Sequence, residues 1–94
     1  MLDYYENGNI SSIKLYANGK LAGSVSFFYE NGQLRLQQQY AEGLMNGFSI
    51  IYWPNGNIKK TGYFKAGRQD GEVVHYNEDG SLKEKVNYVE GVRQ

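Results

Sequence analysis

The chain has no cysteine, a single histidine and a single proline in 94 residues. Without thiols there is neither a disulfide nor a thiolate zinc site, and one histidine cannot build a histidine-rich metal centre. Net charge is missing too. Ten basic and ten acidic side chains cancel, which removes the long-range field by which nucleic acid or an anionic membrane surface is captured. No apolar run approaches the roughly 20 residues of a membrane span, and the start Met1-Leu2-Asp3 lacks the basic and apolar stretches of a secretion signal. The expected location is the cytoplasm.

Catalytic motifs are equally scarce. His75 is the only candidate general base and no nucleophile stands at a signature spacing from it, so it reads as a strand residue facing Lys83. Glu72, Glu78, Asp79 and Glu84 scatter over turns and both faces as solvated carboxylates. Neither phosphate-loop glycine string occurs, and Asn77-Glu78-Asp79-Gly80 lacks the distal ligands of a calcium loop. The expectation is a non-enzyme with no catalytic residue, cofactor site or metal site.

What the chain does have is glycine in phase. Gly8, Gly32, Gly56 and Gly80 recur every 24 residues, as do Gly19, Gly43, Gly67 and Gly91, and Gly23, Gly47 and Gly71. Only Gly62 of the twelve stands outside these series. Asn7, Asn31, Asn55 and Asp79 precede the first series, and Tyr16, Tyr40, Phe64 and Tyr88 keep a fixed distance after it. Such a period means stacked supersecondary units, each too small to fold alone. Residues 1–94 are therefore expected to form one repeat-array domain of nearly four units.

Each unit holds two short runs of alternating polarity separated by glycine turns, the pattern of a β-hairpin. Glu30-Asn31-Gly32 fits a three-residue loop whose last residue is left-handed, where glycine has no Cβ to clash. The longer link from Gly19 to Gly23 is expected to use both glycines at positive φ. The fold class is thus all-β: an elongated, single-layer antiparallel meander of about eight strands.

With that loop, Phe28 faces Leu34 and Phe27 faces Arg35. Even positions Phe28, Leu34, Tyr52, Ile58, Tyr76 and Leu82, flanked by Tyr40, Phe64 and Tyr88, become a buried spine. Cross-strand pairs of this kind contribute roughly 0.2 to 1 kcal/mol each. The odd face, expected to be more exposed, carries an aromatic column of Tyr5, Tyr29 and Trp53, the apolar Phe27 and Ile51, Tyr63 beside them, and a basic column of Arg35, Lys59 and Lys83. Exposed aromatics beside arginine have the composition of interface hot spots. The same aromatics could instead simply cover strand backbones.

The segments Tyr29-Glu30-Asn31-Gly32-Gln33-Leu34, Tyr52-Trp53-Pro54-Asn55-Gly56-Asn57-Ile58 and Tyr40-Ala41-Glu42-Gly43-Leu44-Met45-Asn46-Gly47 resemble the MORN repeat, and its bacterial variant in YwqK-type proteins more closely. The resemblance spans the whole chain. It implies a hairpin array that acts as a binding scaffold, in some members toward phospholipid and in others as a toxin antidote, with no catalytic residues. Asn77 in place of the column aromatic, and the apolar Leu21-Ala22 after Gly19, depart from the pattern.

The function expected is that of a protein-binding antidote or inhibitor that occludes a toxic, nuclease or other effector partner, through the nine odd-face residues Tyr5, Phe27, Tyr29, Ile51, Trp53, Tyr63, Arg35, Lys59 and Lys83. A homodimer is the expected state in isolation. The rivals are an oligomerisation scaffold that docks membranes or assemblies and a nucleic-acid-binding module, the latter disfavoured because phosphate contacts dominate such affinity.

Overall fold

The computed structural model describes residues 1–94 and contains no helix. Its strands are β1 (Leu2–Tyr4), β2 (Ile10–Ile13), β3 (Tyr16–Ala17), β4 (Lys20–Leu21), β5 (Gly23–Phe28), β6 (Leu34–Ala41), β7 (Leu44–Tyr52), β8 (Ile58–Lys65), β9 (Arg68–Gln69), β10 (Gly71–Tyr76), β11 (Leu82–Val89) and β12 (Val92–Arg93). Ten belong to one antiparallel sheet in the order β1-β2-β5-β6-β7-β8-β10-β11-β12, with β9 beside β8, while β3 and β4 form a separate ribbon. The all-β meander is as expected, and the count of about eight is exceeded for a local reason. β2 with β3, β4 with β5, and β9 with β10 are strands interrupted where β6 and β7 run unbroken, and β12 is added at the end.

Two kinds of turn alternate. Tyr29 donates its N–H to the carbonyl of Gln33 and Gly32 donates to Tyr29, with Gly32 at φ +91°, so the three-residue loop forms as the sequence predicts. The other turn is tighter than expected. Ala41 pairs with Leu44 and Lys65 with Arg68, leaving two-residue loops at Glu42-Gly43 and Ala66-Gly67 with both residues at positive φ. That is the primed hairpin turn whose twist matches the strands. Gly23, Gly47 and Gly71 are separate left-handed points along the following strand, and each of them pairs across the ladder with an aromatic ring, Tyr40, Phe64 or Tyr88.

A bulge changes the faces. Phe28 pairs with Leu34, but Phe27 pairs with Leu36 rather than Arg35, and the shift recurs at Ile51 with Lys60 and at His75 with Glu84. Arg35, Lys59 and Lys83 are the extra residues. Because side chains alternate along a strand, one inserted residue moves everything after it to the other face. Odd residues of each first strand therefore share a face with even residues of the next.

On this valine face Val25 and Val73 are fully buried, and Val86, Ser12, Gln38 and Gly62 are buried beside them. Tyr40, Phe64 and Tyr88 are half-buried on the same side. The expected even-numbered spine is thus split between faces. Phe28, Leu34, Tyr52 and Tyr76 lie half-buried on the opposite face, whereas Ile58 and Leu82 there are exposed. His75 faces Glu84, not Lys83.

The plate measures 41 × 38 × 14 Å. It is as broad as it is long because nine strands at about 4.8 Å spacing span about the length of one strand with its turns.

Candidate functional site

Seven of the nine expected contact residues lie together on the valine face, with Lys83 exposed at the third bulge and Tyr63 elsewhere, and the structure shows what most of their atoms do. The hydroxyl of Tyr5 donates to the carbonyl of Phe28, and that of Tyr29 donates to the carbonyl of Tyr52 at 2.5 Å. Backbone pairing between β2 and β5 ends at Ser12 with Phe27, so the side-chain hydroxyl takes over where the ladder stops. Trp53, next in the column, leaves its buried indole N–H without a partner. The aromatic column thus joins consecutive units, and its members are half-buried together with Phe27 and Ile51.

Two of the three bulge cations lie over these rings. The Arg35 guanidinium is 5.5 Å from the centre of the Phe27 ring, and the Lys59 ammonium is 4.7 Å from that of Trp53. Such contacts contribute roughly 0.5 to 1 kcal/mol when exposed. Arg35, Lys59 and Lys83 remain exposed.

Two further ladders stitch the units at their turns. Asn7 and Asn9 both donate side-chain N–H groups to the carbonyl of Glu30, at 3.0 and 2.8 Å, and Asn55 and Asn57 do the same to Glu78. At the tight turns, Gly43, Gly67 and Gly91 donate backbone N–H groups to Leu21, Met45 and Gln69. The Asn46 side-chain Oδ1 accepts from the N–H of Ala66 and the Asp70 carboxylate from that of Glu90. Ala22, at the same phase in the first unit, has no side-chain acceptor to offer Glu42.

Tyr63 is on the other face. It pairs with Phe48 across β7 and β8, and the two rings meet edge to face at 5.4 Å and 87°. Phe48 is 63% exposed and Tyr63 40%. Around them Ser24, Gln37, Gln39 and Ile50 line an open groove of about 210 Å³ with Phe48. Gln39 is held in place, since its side-chain carbonyl accepts the N–H of Phe48 at 3.0 Å. Sequence reasoning missed Phe48 because it stands at an even position and outside every phased column.

No group of three or more potential metal ligands comes together. No helix is long and apolar enough to cross a membrane.

The hairpins, the recurring turns and the ladders between units define a linear array of one repeated motif. The model of the MORN repeat variant matches residues 1–18, 21–42, 46–66 and 69–90, and the chain belongs to that family. Membership places it among repeat arrays that serve as protein- or membrane-binding modules. No curated protein matches the chain.

Proposed function

We propose that this chain is a protein-binding module whose contact is centred on Phe48 and Tyr63, and that it acts by covering a surface of its partner, as an inhibitor or antidote of an effector does. The observation that carries the reading is a pair of large exposed aromatic rings, braced edge to face, in the middle of the sheet, with Ser24, Gln37 and Gln39 along the groove beside Phe48. Interface centres are enriched in aromatics and depleted of charge. A nucleic-acid surface would need a row of cations there, whereas β6 to β8 place Gln37, Gln39 and Thr61 on this face, with Lys65 their one cation, at the turn end of β8. Occlusion requires complementary shape and no chemistry of its own.

A second reading places the contact on the valine face, at the exposed rims of Arg35, Lys59 and Lys83 over Phe27 and Trp53. One comparison separates the two. With a partner recovered from the native host, Phe48→Ala with Tyr63→Ala should weaken binding by about 2 kcal/mol, roughly 30-fold, as loss of a hot spot does, while Lys20→Ala on a turn changes little. Calorimetric titration in which the alanine triple at Arg35, Lys59 and Lys83 loses affinity and the Phe48–Tyr63 pair does not would move the site to the valine face.

A further inference from the structure

The units are stitched directionally. Each gives side-chain donors to the next: Tyr5 to the carbonyl of Phe28 and Tyr29 to that of Tyr52, Asn7 and Asn9 to Glu30, and Asn55 and Asn57 to Glu78. The fourth unit has Asn77, Asp79 and Ser81 at those phases, and it spends them internally. Asn77 donates to the Ser81 hydroxyl at 3.0 Å, and Asp79 accepts both the hydroxyl and the N–H of Ser81, at 2.6 and 2.9 Å. The Ser81 hydroxyl bond, first, and its backbone N–H hold the Asp79 carboxyl below its ordinary value of 3.8. This end presents a carboxylate where the other units present amide donors.

The opposite edge of the sheet is β1. In phase with Phe28 and Glu30, the carbonyls of Tyr4 and Glu6 face outward there. Asp3 lies beside them with its side chain 43% exposed; one carboxylate oxygen takes the Ser12 hydroxyl at 2.6 Å, with the Lys14 ammonium at 3.8 Å. Between units, Ser12 pairs with Phe27, Leu36 with Ile51 and Lys60 with His75. Carried on by one unit, that register sets Glu84 of one copy, whose carboxylate takes the Arg93 guanidinium at 3.0 Å, against Asp3 of another. Like charges directly opposite on a ladder are destabilising, and Asp79 would point an acceptor at the Glu6 carbonyl. What would continue is the backbone pairing of that register and the Arg93 carbonyl offered to the N–H of Gly19; the side-chain ladders would not.

We propose that the β1 edge is a docking site for a hairpin of the same repeat type from a partner protein, one that sets a cation opposite Asp3 and hydroxyl or amide donors against the carbonyls of Tyr4 and Glu6. The fourth unit is built so that a second copy of this chain does not fit there. A heterologous contact of that kind would be open-ended and grow into fibres, so the mismatch keeps the edge free for a different occupant.

The chain itself serves as the probe. Asn77→Tyr, Asp79→Asn, Ser81→Asn and Glu84→Lys together give the fourth unit what the edge asks for. Sedimentation velocity over a concentration series should show an open-ended ladder of masses for this variant, associating at least ten-fold more tightly than the unaltered chain. Adding Asp3→Lys, which sets cation against cation, should abolish the ladder. The single Glu84→Lys, at an exposed strand position, should shift association in the same direction and by less, and it stands in if the fourfold variant does not fold. Circular dichroism and a thermal transition like those of the unaltered chain establish folding. The proposal is overturned if the folded variant keeps the parent mass distribution, if Asp3→Lys leaves its ladder intact, or if the parent chain already grows an open-ended ladder. A closed dimer of the parent also overturns the proposal if amide exchange in β1 slows on dimerisation, and leaves the edge free if it does not.

Discussion

Ala66 sits at φ +50° in a two-residue turn whose counterpart in the first unit is Asn18. A left-handed conformation crowds the Cβ of an ordinary residue and costs roughly 1 to 2 kcal/mol, whereas asparagine adopts it readily. Ala66→Asn should therefore raise stability by about 0.5 to 1 kcal/mol, read as a higher urea midpoint at unchanged slope. Gly47 shows the opposite constraint. At φ +103°, a Cβ there would lie 2.0 Å from the Gln39 side-chain oxygen, the same oxygen that accepts the Phe48 N–H. Glycine at this position keeps both the backbone conformation and the bond that fixes the strand beneath the proposed contact.

The bulge is the decisive feature of each element. Its extra residue sends Leu36, Gln38 and Tyr40 to the valine face, and the basic side chain it exposes lies over a ring of the same face. Backbone and side chain at Arg35 separate experimentally. Arg35→Ala keeps the extra residue and loses only the contact with Phe27, so it should cost less than about 1 kcal/mol. Deleting Arg35 removes the extra residue itself and turns half of β6 to the wrong face. The deleted chain should lose its cooperative thermal transition, which differential calorimetry would show.

As a whole molecule the array is a row of neighbour contacts with few residues fully buried: Val25 and Val73 lie near the two sides of a sheet that has no second layer. Stability is then close to a sum of unit and interface terms, and the ends open first. Amide exchange should be slowest in β6 to β8, which have long partners on both sides, and fastest in β1 and in the two-residue β12. Uniform protection across the sheet would show instead that it opens only as one unit. The same geometry explains the apolar surface. Leu2, Tyr4, Phe48 and Leu82 are exposed because one layer has nothing of its own to place over them, and such area is what a partner covers.

The phased glycines, asparagines and aromatics settle from sequence that the chain is an array of hairpins, where its three-residue loops fall, and that Phe28 meets Leu34. They settle this because turn chemistry is local: a left-handed φ, or an asparagine closing a loop on the residue two positions later, depends on a few adjacent residues. Which side chains share a face is another matter. That rests on counting by twos from the turn, and a single unpaired residue at Arg35, Lys59 and Lys83 reverses the count without any mark in local propensity. The odd-face aromatics are consequently found half-buried between units, with the hydroxyls of Tyr5 and Tyr29 bonded to neighbouring backbone, while Tyr63 meets Phe48 on the other side. Repetition specified the strands and their order; the parity of the ladder, which exists only once two strands are paired, decided which aromatics the molecule keeps and which it exposes.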